Sequence, residues 1–245
     1  MKTVAIVIPI HQARMNQLEY YSVSHSLKVL SGRDIIFVGP SSIGMESIAL
    51  HFGSHAWRTF DDKFFDSVKS YNKLLLSLEF YNSFIDYDNI LILQPDAIVF
   101  KDELNYWCKK PFDYVGAPWP DGFEWMVDMC PFAGRNSRRV KVHVGNGGLS
   151  FRRVRKCVSL LNEFAEAAEL FSESGSAEDI YFSVFGSLSK DFIIPDEVTA
   201  SQFAMEMKPS YYYNLNGNKI PMGAHAWWTF DIDFWRPLLK EIPIL

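Results

Sequence analysis

Short apolar runs separated by polar turns recur along the chain, and three of them have the composition of buried strands. Residues 3–8, 34–38 and 90–93 are rich in β-branched residues, and each run is followed within two residues by a proline. Strands that are buried on both faces of a parallel sheet have such continuous apolar runs. From Tyr20 to Leu30, apolar residues recur every three or four positions, which predicts a helix with one buried stripe. This β-α-β order implies parallel strands joined by a right-handed crossover.

The remaining hydrophobic patterns continue this alternation of strands and helices. Further strands are predicted within residues 51–59, 97–100, 112–119 and 192–195, and further helices over 67–84 and 104–108 and from Val154 onward. Residues 120–140 have no regular period, which predicts an irregular loop that either covers a substrate or makes a surface excursion. Since no repeat or linker divides the chain, we predict one α/β domain over residues 1–245, with a Rossmann-like, mostly parallel sheet flanked by helices.

Composition and charge exclude several classes of protein. The 245 residues carry a net charge of −5, which disfavours a general attraction to nucleic acid. Cys108, Cys130 and Cys157 are widely spaced and odd in number, so they indicate neither a disulfide framework nor a metal site. No stretch approaches the roughly 18 apolar residues of a membrane span, and the apolar N-terminus lacks a signal-peptide cleavage site. These features favour a cytoplasmic protein and leave peripheral contact with the inner face of the membrane open.

The turn after the third buried run presents an acid at a position where α/β proteins bind ligands. Pro95 cannot donate to a strand ladder, so pairing is predicted to stop at Gln94, which leaves Asp96 at the carboxyl edge of the sheet. A carboxylate at this edge can hold a divalent metal against a phosphate-bearing substrate, and it can equally cap its own backbone. The residues after the first strand reach the same edge and are candidates for nucleotide binding: Pro9, Ile10 and His11.

A glycine-rich loop is expected to allow close approach of a ligand. Three of the four residues at positions 145–148 are glycine: Gly145, Gly147 and Gly148. Their bare N–H groups suit a sugar or a phosphate, although a plain β-bulge would use the same residues. The loop is not a Walker loop, because the Gly-Lys-Ser/Thr ending is missing. Arg152 and the bases after it are predicted at the start of the next helix, facing either a pyrophosphate or water.

Two acids lie at the predicted start of another helix. Ser176 is expected to cap this helix, and the helix dipole favours Glu178 and Asp179 in its first turn. That is a sufficient structural reason for both acids. A carboxylate at the mouth of the sheet could also serve as a general base.

Two more positions also have both a structural and a functional interpretation. His225 follows Gly223 in a turn, where it is either a hydrogen-bonded packing residue or a ligand. Tyr71 and Asn72 lie in the early turns of the predicted helix over 67–84. If that end faces a nucleotide, the ring of Tyr71 could stack on it and Asn72 could donate a hydrogen bond; otherwise Tyr71 belongs to the core.

A series of motifs between residues 70 and 228 resembles the common core of GT-A glycosyltransferases, in the order that those enzymes use. The matching stretches are Tyr71-Asn72-Lys73-Leu74-Leu75, Leu93-Gln94-Pro95-Asp96-Ala97, Tyr114-Val115-Gly116-Ala117-Pro118-Trp119, Val144-Gly145-Asn146-Gly147-Gly148-Leu149-Ser150, Glu178-Asp179 and Gly223-Ala224-His225. More closely, the chain is similar to a bacterial and fungal family of glycosyltransferase-like proteins that is described as a domain of unknown function. The resemblance implies a GT-A fold and a hexosyltransferase-like activity that uses a nucleotide sugar.

The resemblance also implies a metal site. Gln94-Pro95-Asp96 stands where GT-A enzymes carry Asp-x-Asp, so Asp96 is the expected metal ligand, and His225 resembles the C-terminal histidine that completes the metal shell. Gln94 replaces the first acid of the motif; it can still bind a ribose hydroxyl but adds no charge, so metal affinity is expected to be lower. Mn²⁺ is the first choice for this mixed ligand set, and Mg²⁺ is the second.

The remaining site residues are assigned by the same resemblance. Gly147 and Gly148 would line the donor sugar, and Asp179 would be the general base of an inverting reaction. Glu178 and Trp119 would contact the acceptor, which is expected to be a glycan or a lipid-linked sugar. The donor is expected to be a UDP- or dTDP-sugar, and the setting polysaccharide or cell-surface glycan assembly.

Two other functions remain open on the sequence. A nucleotidyltransferase would also place a metal-binding acid at a strand end, but it usually needs a glycine- and lysine-rich loop after the first strand, and residues 11–14 contain no glycine. A non-catalytic sugar- or nucleotide-binding module that has lost its metal site is the other alternative, and Gln94 is the feature in its favour.

Overall fold

A computed structural model describes residues 2–12, 14–127, 138–240 and 242–243. The strands, in chain order, are β1 (Lys2–Pro9), β2 (Asp34–Pro40), β3 (Ala56–Phe60), β4 (Tyr87–Leu93), β5 (Ile98–Val99), β6 (Tyr114–Val115), β7 (Pro118–Val127), β8 (Arg138–Val144), β9 (Leu149–Arg153), β10 (Ala204–Met205) and β11 (Gly223–Ala224). The helices are α1 (Gln17–Val29), α2 (Met45–Phe52), α3 (Val68–Leu75), α4 (Leu78–Asn82), α5 (Leu104–Cys108), α6 (Val154–Glu163), α7 (Ala165–Ser174), α8 (Glu178–Leu188), α9 (Glu197–Phe203), α10 (Pro209–Leu215) and α11 (Trp227–Trp235).

The predicted β-α-β unit is confirmed at the start of the chain. Helix α1 begins at a capping box, in which the Asn16 side chain accepts from the backbone of Glu19 and the Glu19 carboxylate accepts from the backbone of Asn16. Its buried face includes Leu18 and Val23, which hold it against the sheet. Strands β1 and β2 then pair in parallel, with Ala5 opposite Asp34. The local sequence signals and the tertiary pairing therefore agree in this region.

The main sheet has six strands in the order β3-β2-β1-β4-β9-β6. Strands β3, β2, β1 and β4 are parallel, whereas β9 runs antiparallel to both β4 and β6. Side chains alternate across β1, so Ala5 and Val7 belong to the core on one face, while Ile6 and Ile8 belong to the core on the other. Helices cover both faces, which confirms the predicted class of a mixed α/β fold with a central sheet. The extent of the domain stays a prediction.

A second, three-stranded sheet brings the C-terminal part of the chain to the end of β4. Strand β5 follows the Asp96 turn and pairs antiparallel with β11, with Ile98 opposite Ala224. Strand β11 also pairs in parallel with β10, with Met205 opposite Ala224. Since His225 follows β11 and Glu206 follows β10, this pairing carries both residues to the edge of the main sheet that holds Asp96.

Several predicted elements differ from the structure. The predicted irregular loop over 120–140 instead contains β7 and β8, which pair as an antiparallel hairpin; residues 128–137, with Cys130, lie outside the described residues. The predicted helix over 67–84 is divided at Leu76, because Ser77 caps a new helix by accepting from the backbone of Phe80. The predicted strand at 192–195 is irregular, although it exchanges two hydrogen bonds with Asp113.

Two further differences concern shorter stretches. The strand predicted over 112–119 is interrupted at Gly116, where an added Cβ would lie 1.7 Å from the carbonyl oxygen of Gly145, so β6 ends and β7 starts two residues later. The sequence pattern also missed α2, which ends at Phe52, whereas the short strand predicted within 51–59 is present as β3. None of the helices in the described part of the chain combines the length and apolar character that a bilayer crossing requires.

Candidate active site

The turn after β4 is tied to the glycine-rich loop. The backbone N–H of Gln94 donates to the carbonyl of Gly148 at 2.8 Å, and the N–H of Ala97 closes a turn by donating to the carbonyl of Gln94 at 2.9 Å. Asp96 lies in this turn with its side chain 35% exposed. The carboxylate is therefore held at the carboxyl edge of the central strand, as predicted, and is accessible from solvent.

The side chain of His225 lies against Asp96. Its Nε2 is 3.1 Å from Oδ1 of Asp96, and its Nδ1 is 3.1 Å from Oε1 of Glu206. Burial alone would lower the pKa of His225, but the two neighbouring carboxylates raise it to about 10. For Asp96, burial alone would raise the pKa. The neighbouring imidazole of His225 outweighs burial, so the pKa of Asp96 is lowered overall. The predicted meeting of a mid-chain acid with a near-terminal histidine is thus present in the structure.

The glycine loop is packed between these groups and α8. A Cβ added to Gly148 would lie 2.1 Å from Nε2 of His225, and a Cβ added to Gly147 would lie 2.0 Å from Oε1 of Glu178. Both distances are far below van der Waals contact, so glycine is required at each position by its surroundings. Asn146 has a φ of 63°, a left-handed conformation that asparagine tolerates better than most residues. The loop therefore touches the Asp96–His225 pair on one side and the start of α8 on the other.

Asp179 lies in the first turn of α8, next to the same loop. Its Oδ1 accepts from the backbone N–H of Ile180 at 2.7 Å. Burial is the main cause that raises the pKa of Asp179 to about 6, and the charge of Glu178 adds to it; the N–H groups of Ile180 and Gly147 oppose the rise. The predicted cap by Ser176 is wrong, because Ala177 occupies the N-cap position without a side-chain hydrogen bond and Ser176 Oγ contacts Ser174 Oγ instead.

Glu178 is buried behind the glycine loop. Its Oε1 is 2.9 Å from Nη2 of Arg152, and the side chains are 4% and 0% exposed, respectively. Arg152 also donates to the hydroxyls of Tyr81 and Ser150, and Ser150 donates to the carbonyl of Gly147. This network supports the loop from inside the protein. The structure therefore corrects two predictions: Glu178 is not presented to an acceptor, and Arg152 lies in β9 facing neither a pyrophosphate nor water.

The predicted nucleotide-binding residues lie at the other side of Asp96. Pro9 and Ile10 are buried, so only their backbone could reach a ligand. The ring of Tyr71 is 3% exposed and packs edge-on against His11, with 4.9 Å between ring centroids, so it has no free face for stacking on a base. Among the residues that the structure describes, the buried Tyr71 hydroxyl has no hydrogen-bond partner. Asn72 is half-buried beside it on α3.

His11 is the exposed residue of this group, and it lies close enough to Asp96 for that charge to affect its pKa. Partial burial of the ring against Phe65 and Tyr71 lowers the pKa of His11, and the charge of Asp96 opposes this effect. Trp119, the predicted acceptor residue, is half-buried at the start of β7. A Cβ added to Gly145 would lie 1.9 Å from its ring, so Trp119 borders the glycine loop.

The pair Asp96 and His225 fits a divalent metal. Two neighbouring ligands of an octahedral ion, each at about 2.1 Å from it, lie about 3 Å apart, which matches the separation of Oδ1 and Nε2. Nε2 of His225 is buried and lacks a hydrogen bond of good geometry within the described residues. Across residues 2–12, 14–127, 138–240 and 242–243, no group of three or more His, Cys, Asp and Glu side chains is arranged for a metal. Further ligands would therefore come from substrate phosphates and water.

The chain matches a known protein family over most of its length. A family model described as "Protein of unknown function (DUF5672)" matches residues 54–225, which is more than two thirds of the chain. The chain belongs to the DUF5672 family. The match spans Asp96, the glycine loop, Asp179 and His225, so all the site residues from β4 onward belong to the part that defines the family. No curated protein matches this DUF5672 sequence.

Solved structures that are similar to this DUF5672 protein include several glycosyltransferases. LgtC, a galactosyltransferase solved in complex with donor and acceptor sugar analogs, is 13% identical with a TM-score of 0.55, over 96% of this chain and 100% of LgtC. GlyE of Streptococcus pneumoniae TIGR4 is 16% identical with a TM-score of 0.51 over 98% of this chain, which spans 61% of GlyE. WbbM, a bifunctional glycosyltransferase, is 12% identical with a TM-score of 0.53, over 91% of this chain and 45% of WbbM. The chain therefore has the α/β fold of these enzymes.

Two site residues were missed by sequence reasoning. Glu206 was not singled out, because nothing local distinguishes it from a surface acid. Arg152 was assigned to a helix start; the alternation of Ser150 and Arg152 along β9 is the signal that could have placed both on one face of a strand.

Proposed function

We propose that this protein is a metal-dependent glycosyltransferase that moves a sugar from a nucleotide-sugar donor to a hydroxyl of a glycan or glycolipid acceptor, with inversion at the anomeric carbon. A UDP- or dTDP-sugar is the proposed donor, and polysaccharide or cell-surface glycan assembly is the proposed setting.

The observation that carries the proposal is the convergence of three distant residues on one loop. Asp96 and His225 are 3.1 Å apart, and His225 lies directly against Gly148. Asp179 lies beside Gly147, whose N–H favours its ionised form. A metal-binding pair and a carboxylate are thus separated by a loop with little side-chain bulk. A sugar lying over this loop would have its phosphate on the Asp96 side and its anomeric carbon towards Asp179.

Asp179 is proposed as the general base. It would accept the proton of the acceptor hydroxyl while that oxygen forms a bond to the anomeric carbon and the bond from this carbon to the nucleotide diphosphate breaks. A pKa of about 6 leaves the carboxylate ionised at neutral pH, yet basic enough to share a proton in the transition state. The Arg152–Glu178 pair behind the glycine loop would hold the donor sugar and Asp179 in the correct relative position.

Asp96 and His225 are the proposed ligands of Mn²⁺, with Mg²⁺ as the second choice. Such an ion supplies charge that stabilises the departing diphosphate. Gln94 offers an amide where a second carboxylate would add charge, so we expect a lower metal affinity than two carboxylates would give. His11 and Asn72 are proposed to contact the nucleotide, together with the backbone at Pro9 and Ile10. The hydroxyl of Tyr71, which lies near Gln94 without a hydrogen bond of good geometry in the described part of the chain, is also available at this position.

The acceptor is proposed to approach from the side of Trp119. Its half-buried indole borders Gly145 and packs on Phe123, with ring centroids 5.8 Å apart, so it could offer an apolar face to a sugar ring. This placement leaves the buried Glu178 out of acceptor contact and assigns that contact to Trp119.

The proposal is tested by transfer and hydrolysis assays on a panel of UDP- and dTDP-sugars, with Mn²⁺ and with EDTA. We expect nucleotide diphosphate release that requires Mn²⁺ and that is lost in Asp96→Ala and Asp179→Asn. Glu197→Gln is the control, since Glu197 is also an acid in the first turn of a helix and pairs with His143 instead. Unchanged turnover in both site variants would remove this site assignment.

Two other outcomes would change the proposal in different ways. NMR of the anomeric proton of the product should show inverted configuration; retained configuration would remove the base role of Asp179 and leave a glycosyltransferase. Tight binding of nucleotide sugars without turnover, across a broad donor and acceptor panel, would identify a non-catalytic binding module, which the amide of Gln94 in place of an acid would then explain.

A further inference from the structure

Glu206 joins two parts of the candidate site that are far apart in sequence. Its Oε1 is 3.1 Å from Nδ1 of His225, and its Oε2 accepts a short hydrogen bond from Nδ2 of Asn146. The carboxylate is 14% exposed, and Asn146 is 3% exposed. Glu206 therefore bridges the histidine of the proposed metal site to the loop that would lie under the donor sugar.

The backbone N–H of Gly148 determines the direction of each of these hydrogen bonds. The N–H of Gly148 can only donate, and it donates to Oδ1 of Asn146 at 3.2 Å. The amide nitrogen of Asn146 therefore faces Glu206. A carboxylate can only accept hydrogen bonds. One oxygen of Glu206 accepts from Asn146, and the other accepts from His225, so Nδ1 of His225 must carry the proton. Nε2, the nitrogen that faces Asp96, is then the one that can bind a metal once it gives up its own proton.

We propose that Glu206 is a positioning residue, which fixes the tautomer and the orientation of His225 through a relay that begins at the backbone of the glycine loop. The inference rests on the proposed function and deepens it. A carboxylate behind a metal-bound histidine is a common arrangement, because it orients the ring and raises the basicity of the other nitrogen. Here the carboxylate of Glu206 is itself held by Asn146 of the glycine loop, so a change in the geometry of this loop changes the affinity for metal.

A glutamine at position 206 cannot replace the carboxylate. Both neighbours, Asn146 and His225, present N–H donors to it, and a glutamine side chain has one oxygen and one NH₂ group. In Glu206→Gln, either the Asn146 amide or the His225 ring must therefore lose its acceptor. Asn146→Gly interrupts the relay at a different point without strain, because glycine adopts the φ of 63° freely.

The experiment measures Mn²⁺ binding to the full chain by calorimetry and by the EPR signal of free Mn²⁺, with no donor or acceptor present. We expect Glu206→Gln to weaken Mn²⁺ binding about 10- to 100-fold, and Asn146→Gly to weaken it by a smaller factor. In the double variant the two effects should be less than multiplicative, because both changes break one relay. Glu197→Gln is the matched control: it also removes a carboxylate next to a histidine, His143, at 3.6 Å.

The outcomes separate the relay from the metal site. If the unaltered chain binds Mn²⁺ and Asp96→Ala abolishes binding, while Glu206→Gln and Asn146→Gly bind as Glu197→Gln does, the role of Glu206 is overturned and the metal site stands. If the unaltered chain does not bind Mn²⁺, or if Asp96→Ala binds it equally well, both the metal site and the inference are overturned. Urea unfolding of each variant shows whether a loss of Mn²⁺ binding comes from unfolding. If Glu206→Gln does not fold stably, Asn146→Gly tests the proposal in its place.

Discussion

Replacing Asp179 by asparagine should make the protein more stable and almost inactive. The carboxylate is half-buried in the first turn of α8 beside Glu178, and burial is the larger of the two causes that raise its pKa. An ionised group in this environment costs folding free energy, whereas an amide of nearly the same shape does not. Asparagine can still accept the hydrogen bond from Ile180 that Asp179 Oδ1 accepts at 2.7 Å.

The size of the effect follows from the pKa. A rise from the ordinary value of 3.8 to about 6 corresponds to roughly 3 kcal/mol, and partial solvent screening reduces this to about 2 kcal/mol. Because the folded state binds the proton more tightly than the unfolded state, the cost of Asp179 grows as pH rises from about 4 to about 6 and is constant above. The stability gained in Asp179→Asn should therefore be full at pH 7.5 and almost absent at pH 4.

Urea unfolding at pH 7.5, 5 and 4 measures the gain, with Glu197→Gln as the control. Transfer activity should fall about 100- to 10,000-fold in Asp179→Asn, the usual contribution of a general base. In the unaltered protein, kcat/KM should fall about tenfold per pH unit below pH 6, as Asp179 becomes protonated.

A variant that is less stable than the unaltered protein at pH 7.5 would contradict this prediction, because it would mean that the carboxylate stabilises the fold. A stability gain that is independent of pH would also refute it, since the cause would then not be ionisation. A gain in stability with full activity would leave the burial argument intact and remove the catalytic role.

Three further predictions concern the metal pair and the support behind the loop. Asp96→Asn should lower Mn²⁺-dependent transfer at least 100-fold while the chain stays folded, which activity assays and circular dichroism would check; transfer that persists would contradict the metal role. Gly148→Ala should displace the ring of His225, because the added Cβ would lie 2.1 Å from Nε2, and calorimetry should show weaker Mn²⁺ binding; binding at the original affinity would mean that the loop can shift freely. Arg152→Met should lower the free energy of unfolding by about 3–5 kcal/mol, because it leaves Glu178 buried without its partner, and adding Glu178→Leu should recover part of this loss. Equal stability of the single variant in urea would show that the Arg152–Glu178 pair does not stabilise the fold.

Much of the fold could be predicted because its signals are local. The apolar runs of β1, β2 and β4 and the helical spacing of α1 are properties of a few consecutive residues, and all four elements occur where they were expected. Helix α5 matches its predicted bounds, Leu104–Cys108. The hairpin of β7 and β8 was missed because its strands gain stability from pairing with each other, and a window of sequence does not contain that partner.

The candidate site was predicted less completely, and the reason is the same. Asp96, Asp179 and His225 were found through motifs, and the structure brings them to one loop, although their roles stay predictions. Tyr71 had two interpretations, a ring that stacks on a base or a core residue, and its packing against His11 and Phe65 confirms the core interpretation.

Local sequence signals were enough for the buried runs of β1, β2 and β4, for the helical spacing of α1 and for the acids at the ends of elements, because periodicity and chain-breaking residues act over a few positions. Which side chains meet depends instead on the tertiary structure. The pairing of β5 with β11 carries His225 to Asp96, and the antiparallel β9 buries Arg152 against Glu178. Such contacts join residues that are 26 to 129 positions apart, and their energies depend on burial and charge that arise only once the sheets have formed.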